Sequence, residues 1–329
     1  MTRRILPALL LSLVLAACGG GGGGGGGAES PATSASSAAS SRASSSVASS
    51  VASSRSSSSA ASSASSSSAG VVTKSAKRGI AYDLASTADL SVLAPGVSWW
   101  YNWSPKPASS VPADYRSRYA MDFIPMLWNG NFDASAVEAW LLANPQVKYM
   151  LVMNEPNLTN QANLTPAQAA ALWPGYEAVA AHTGVKIVGP AITWGTMSGY
   201  ADPVVWMDAF YAAYRAANGN RDPQIDYLAF HWYDYGIAAQ LDRLAKYGKP
   251  FWVTEFANWH TGDGSAAIDS VARQKAQMAD MVATLEARSD VFRYAWFTGR
   301  WSTDTHYTSL LGADGQLTEL GSYYLSLPW

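Results

Sequence analysis

The sequence predicts an α/β fold, a parallel (β/α)8 barrel of the TIM type, over residues 76–329. Three observations lead there. Eight apolar runs rich in β-branched and aromatic residues recur along this segment, capped helical stretches separate most of them, and about 250 residues is the usual size of eight such units.

The runs are KRGIAYD (77–83), VSWWYNW (97–103), MDFIPMLWN (121–129), VKYMLVMNE (147–155), VKIVGPAIT (185–193), IDYLAFHWY (225–233), PFWVTEFAN (250–258) and VFRYAWFTG (291–299). Each is bounded by residues that favour turns, as strands are. Between them, Asp133 can cap a helix beginning at Ala134. Thr165 followed by Pro166, and Asp202 followed by Pro203, each pair an N-cap residue with a proline in the first helical turn. Ser265 to Arg288 reads as the longest amphipathic stretch. The segments after the first two runs are weakly helical, so the helical ring is expected to be incomplete there. Strands alternating with helices imply parallel pairing. A doubly wound open sheet is the rival, but GIAYDLAS after the first run lacks the glycines of a phosphate loop.

Residues 1–75 read differently. Arg3 and Arg4 precede an apolar stretch, Ile5 to Ala17, that is too short to span a bilayer and suits a secretory signal over residues 1–17. Leu15, Ala16, Ala17 and Cys18 resemble the lipobox of bacterial lipoproteins, in which the cysteine becomes the lipidated first residue. Cys18 is the single cysteine, so no intrachain disulfide is available. Residues 18–75 continue as a Gly, Ser and Ala tract without hydrophobic periodicity, which predicts a flexible tether reaching about 40 Å. The expected protein is an exported bacterial lipoprotein of the outer membrane or cell surface, anchored to the membrane by lipid and otherwise a monomer.

The formal charge is −2 and residues 76–329 hold neither basic clusters nor acidic blocks, which argues against nucleic acid. With 14 Trp and 17 Tyr in the chain, a neutral ligand with flat apolar faces is the better match, and sugars are that class.

Active sites of (β/α)8 barrels lie at strand C-termini. Glu155 ends the fourth run and Glu255 lies toward the end of the seventh, within TEFAN, and no other run ends in Glu. A carboxylate at a strand end also serves as a helix cap or an arginine partner. Two of them across one barrel mouth are what glycoside hydrolysis needs: one protonated to release the leaving oxygen, one ionised at the anomeric centre. Asp83 and Asp234 are further carboxylates at strand ends, better suited to orienting a loop or binding a hydroxyl.

NEPN after the fourth run and TEFANW after the seventh look like the acid/base and nucleophile motifs of retaining (β/α)8 glycosidases. Together with GIAYD, YNW, HWYD, RYAWF and LTELGSYYL, the pattern over residues 77–327 resembles glycoside hydrolase family 128, a family of endo-β-1,3-glucanases. The resemblance implies Glu155 as general acid/base, Glu255 as nucleophile, Asn154 on the sugar 2-hydroxyl, Tyr233 on Glu255, and Trp296 as the floor under the sugar ring. His231 shares a face with Tyr233 by two-residue alternation, and contact with substrate stands beside a core role. Other strand-end residues suit a glycan cleft: Asn102, Trp103, Trp128, Asn129, Trp194, Trp259 and Trp301, with packing between barrel and helices the rival for each tryptophan.

The four histidines, His182, His231, His260 and His306, show no paired ligand spacing, so no metal and no cofactor is expected. The expected activity is retaining endo-β-1,3-glucan hydrolysis, with a β-glucan polysaccharide or oligosaccharide as partner and carboxyl groups about 5–5.5 Å apart. The linkage rests on the resemblance. A β-1,4-glucanase, mannanase or xylanase of the same barrel type, and a non-catalytic surface glycan-binding protein, are the alternatives.

Overall fold

The computed structural model describes residues 74–262 and 264–329. The signal segment, Cys18 and almost all of the Gly/Ser/Ala tract lie outside these residues. Lys74 and Ser75, expected in the tether, instead belong to the barrel: Lys74 Nζ donates to the carbonyls of Ala94 and Val97 at 2.8 Å, and Ser75 is buried.

Nine parallel strands form the sheet: β1 (Arg78–Ala81), β2 (Trp99–Tyr101), β3 (Asp122–Phe123), β4 (Met126–Leu127), β5 (Tyr149–Val152), β6 (Lys186–Ile192), β7 (Tyr227–Trp232), β8 (Phe251–Phe256) and β9 (Val291–Trp296). Their hydrogen-bonded order is β3-β2-β1-β9-β8-β7-β6-β5-β4. The two ends of this order, β3 and β4, are halves of the third predicted run. Pro125 lies between them and has no N–H to continue a ladder, so the run splits: Trp100 pairs with Phe123 on one side and Met126 with Leu151 on the other. The covalent chain through Ile124 and Pro125 closes the ring, and the barrel has eight staves as expected.

Eight α-helices accompany the described strands: α1 (Thr87–Leu93), α2 (Tyr115–Tyr119), α3 (Ala134–Ala143), α4 (Pro166–Thr183), α5 (Pro203–Ala217), α6 (Ile237–Leu244), α7 (Val271–Ala287) and α8 (Glu319–Ser326). The two shortest, α1 and α2, follow β1 and β2, where the ring was expected to thin. The Asp133, Thr165 and Asp202 side chains accept backbone N–H groups at the starts of α3, α4 and α5. The stretch from Ser265 is helical only in part. A 3-10 turn occupies Gly264–Ala266, and Ser270 caps α7, which at 17 residues is shorter than the 18-residue α4. Among the described residues no helix is long and apolar enough to cross a membrane.

Alternation along the strands separates two apolar layers. Trp99, Tyr101, Leu151, Ala229, Trp252 and Ala295 point into the barrel, while Ile80, Trp100, Val152, Phe230, Val253 and Trp296 pack against the helices. Small residues line part of the interior. A Cβ at Gly79 would lie 2.3 Å from the Trp99 ring, so only glycine lets that indole fill the barrel. Buried Arg78 donates to the Tyr324 and Leu327 carbonyls at 2.9 and 2.8 Å and fastens the C-terminal segment beneath β1.

Candidate active site

Regular alternation would not bring Glu255 into the barrel. Trp252 faces the interior, and a residue three further along a strand should face outward. Phe230 pairs with Val253 but His231 pairs with Glu255, so Thr254 is an extra residue on β8. This bulge resets the alternation and turns Glu255 to the same face as His231. A corresponding break follows β5, where Met153 and Glu155 take positive φ values of 56° and 44°. Such values are uncommon for non-glycine residues. The backbone there is held by the Glu155 N–H to the Ala191 carbonyl at 2.8 Å and the Leu164 N–H to the Pro156 carbonyl at 2.8 Å.

The two carboxyl groups converge on one imidazole. Nδ1 of His231, a residue with no exposed surface, lies 2.9 Å from Glu155 Oε1 and 3.3 Å from Glu255 Oε2. Its other nitrogen, Nε2, is 2.9 Å from Thr254 Oγ1, so the bulge residue also orients the ring. Both glutamates are buried, at 6% and 4% exposure. One oxygen from each, together with the imidazole nitrogen, lie within 4.8 Å of one another. β5 and β8 are separated by two strands in one direction round the ring, rather than standing opposite each other as expected; long side chains close the gap.

The surroundings of the two acids differ. Glu255 Oε1 accepts from Tyr101 Oη at 2.6 Å and Trp103 Nε1 at 2.8 Å, and Tyr233 Oη donates to Oε2. Three donors thus converge on this one carboxylate. Glu155 has the His231 contact alone among these. Burial pushes its carboxyl above the ordinary value, the Glu255 charge adds to the rise, and His231 opposes it. Burial opposes the His231 charge, but the Glu255 charge and the Glu155 contact outweigh it and raise the imidazole above its usual value. Glu155 is thus the acid arranged to hold a proton.

Above the pair lies an aromatic group centred on Phe297, whose ring is 5.6–5.9 Å from those of Tyr233, Trp259, Trp301 and Trp103. The arrangement can grip a pyranose and deliver a proton on one side of its anomeric carbon and a nucleophile on the other. A family model described as glycosyl hydrolase catalytic core matches residues 79–324. The crystal structure of a family 128 (subgroup II) endo-β-1,3-glucanase from Pseudomonas viridiflava is 65% identical, with a TM-score of 0.77, over 78% of this chain and 100% of that one. The chain belongs to glycoside hydrolase family 128.

A second family 128 enzyme, the subgroup I endo-β-1,3-glucanase of Amycolatopsis mediterranei in complex with laminaritriose, is 27% identical with a TM-score of 0.59, covering 77% of this chain and 99% of that one. Alkali-sensitive linkage protein 1 of Schizosaccharomyces pombe is 28% identical over 268 residues, and this chain spans 45% of that relative's length.

Within this family 128 barrel the expected site residues take up different places. Trp103 and Tyr233 contact Glu255 directly. Asn154 is buried beside Glu155, its Nδ2 donating to Gln161 Oε1 at 3.2 Å, and its Oδ1 has no protein donor. Trp128, Trp259 and Trp301 are half-buried at the strand ends. Trp259 stacks on His306 with ring centroids 4.7 Å apart and packs on Tyr233 at 4.2 Å, bracing the tyrosine that bonds Glu255. Asn102 organises its own loop, donating to Asp83 Oδ1 and the Lys106 carbonyl. Asn129 accepts the Asn131 N–H, and Asp234 engages His260.

Three expectations are corrected. Trp296 cannot floor a sugar: it is fully buried against Phe256 and Tyr324 on the helix side of β9, with Nε1 bound to the Thr308 carbonyl. Alternation puts Arg293, Ala295 and Phe297 on the inner face instead. His231 has both ring nitrogens engaged by protein and no exposure, so it positions the acids rather than touching substrate. Trp194 is displaced too, its indole turned to α6 rather than to the Phe297 group.

Tyr101, Thr254, Gln161, Phe297 and His306 were not anticipated as site residues. Alternation from Trp99 was the available signal for Tyr101; nothing local marks Thr254 as a bulge. Chain spacing showed no metal site, yet Glu155, His231 and Glu255 offer ligand-type atoms close enough for one cation. The bonds they make suit protons: the imidazole faces both acids, and Glu255 is filled by O–H and N–H donors.

Proposed function

We propose that this family 128 hydrolase is a retaining endo-β-1,3-glucanase. The carrying observation is the carboxyl pair, buried, sharing His231 and with oxygens within 4.8 Å. That spacing supports a nucleophile in contact with the sugar; an inverting pair stands about 6.5–9.5 Å apart to admit a water. The β-1,3 linkage is supported by the activity of the Pseudomonas and Amycolatopsis relatives.

Glu155 gives its proton to the glycosidic oxygen as the bond to the anomeric carbon breaks and Glu255 Oε attacks that carbon. The donors on Glu255 orient the attacking oxygen, and burial of Glu155 favours its protonated form. The glycosyl-enzyme is then opened by water, which passes its proton to ionised Glu155 and its oxygen to the anomeric carbon, freeing Glu255.

Proton NMR of laminarin oligosaccharide cleavage tests the mechanism. The first product should be the β anomer; an α anomer overturns retention. Glu155→Gln should lower kcat by about 10²–10⁴-fold. Hydrolysis of mannan, xylan or β-1,4-glucan with none of curdlan or laminarin overturns the linkage.

The N-terminal sequence supports an exported lipoprotein carrying lipid on Cys18 and holding its catalytic domain, from residue 76 or slightly before, outside the cytoplasm on a Ser-rich tether. Palmitate labelling of membrane-associated protein, abolished by Cys18→Ser, is expected. Equal labelling of the variant excludes the anchor.

A further inference from the structure

Trp194 is 43% exposed, whereas Trp103, Trp128, Trp259 and Trp301 at the other strand ends are half-buried. Its contacts lie in the helical layer. Nε1 donates to Gln240 Oε1 at 2.9 Å, and the Arg243 guanidinium carbon stands 5.0 Å from the ring centroid, both from α6. Arg243 is held in turn by Asp202, the N-cap of α5, at 2.6 Å. Among the described residues, ring contacts join Trp103, Tyr233, Trp259 and Trp301 to Phe297 and do not extend to Trp194.

An exposed indole ordinarily turns its N–H to water and samples several rotamers. Here the polar edge is bound by protein and the ring is held by a fixed guanidinium, so the part left to solvent is an immobile apolar surface. A surface ordered before a ligand arrives binds without the entropy loss of ordering it. Tyr235 shares these properties: it is 37% exposed, its hydroxyl donates to the Ala266 carbonyl, and its ring packs at 5.4 Å from His260. It directly precedes Gly236, the N-cap of α6, so two immobilised exposed aromatic rings flank one helix. Flat apolar faces of this kind match the C–H faces of pyranose rings, and a polysaccharide longer than the cleft supplies such rings beyond it.

We propose that Trp194, with Tyr235 beside α6, forms a second glucan-binding site, holding a strand of the polymer apart from the carboxyl pair. This rests on the β-1,3-glucanase reading. The test compares the full-length wild type with Trp194→Ala and the Trp194→Ala/Tyr235→Ala double variant. Sedimentation with insoluble curdlan reads polymer affinity, and kcat/KM on a short soluble laminarin oligosaccharide reads the cleft. Curdlan affinity should fall at least fivefold with oligosaccharide kcat/KM within twofold of wild type and an unchanged unfolding midpoint. Unchanged curdlan affinity overturns the site, and a parallel fall in both measurements places Trp194 in the cleft. A wild type that cleaves no β-1,3-linked oligosaccharide overturns the functional reading instead, before any variant is compared.

Discussion

His231 is the residue through which the two acids sense each other, and replacing it with Asn isolates its charge. The asparagine amide keeps a donor close to the position of Nδ1 but carries no positive charge. In the wild type, Nδ1 lies 2.9 Å from Glu155 and opposes the rise in its pKa caused by burial and by Glu255. A hydrogen bond to a charged partner contributes about 1.5–3 kcal/mol and a neutral one about 0.5–1.5. The difference, on the order of 1–1.5 kcal/mol, corresponds to about one pH unit. Because Glu155 acts while protonated, kcat/KM falls as pH rises through the pKa of the coupled Glu155–His231–Glu255 set. His231→Asn should therefore shift the basic limb of the kcat/KM profile up by about one unit, measured on a laminarin oligosaccharide, while lowering the maximum. Circular dichroism establishes that the variant is folded, and Glu155→Gln supplies the profile without this limb. A limb that stays in place or moves down refutes the role given to His231.

Tyr101→Phe removes a 2.6 Å donor from Glu255 and should lower kcat about ten- to a hundredfold, from the 1.5–3 kcal/mol of a charge-assisted bond, with little change in unfolding temperature. Equal kcat would show that Trp103 and Tyr233 suffice. Phe297→Ala should reduce kcat/KM at least tenfold while Trp296→Phe leaves kinetics near wild type and lowers stability; the reverse pattern would restore Trp296 as the sugar platform. Glu155 and His231 both have native pKa values above their ordinary 4.5 and 6.5, so the native state binds protons the unfolded chain has released. Their stabilisation is complete below the ordinary values and is lost as pH rises through the native ones. The unfolding midpoint should accordingly drop as pH rises above these ordinary values, and less so in Glu155→Gln. Identical slopes for the two proteins would remove Glu155 from the linkage.

The bulge at Thr254 connects the fold to this chemistry. Trp252 has to face inward to fill the barrel among Trp99, Tyr149 and Tyr227, and Phe256 has to face outward to pack on Trp296. A regular β8 would put both on one face and turn Glu255 away from the mouth. One extra residue lets packing and chemistry coexist, and its hydroxyl meets His231 Nε2.

Strand positions were legible because each run is short, apolar and closed by turn residues, and helix starts because Asp133, Thr165 and Asp202 cap locally. Glu155 and Glu255 stood out as the acids at or toward the ends of their runs. Trp296 misled because its motif was weighed above its parity with Tyr294, which places both of them on the outer face, flanking the inward-facing Ala295.

What the sequence determined by itself is the order of elements, the parallel barrel and the residue types at its mouth, since propensity, capping and period-two burial act over a few neighbouring residues. Which side chains meet was decided only in the tertiary structure. The break at Pro125, the positive φ at Met153 and Glu155, and the extra residue Thr254 depend on ladder bonds to strands far away in the chain. A single shift in register exchanges the inner and outer faces, so the contact of His231 with both acids exists only once those ladders are formed.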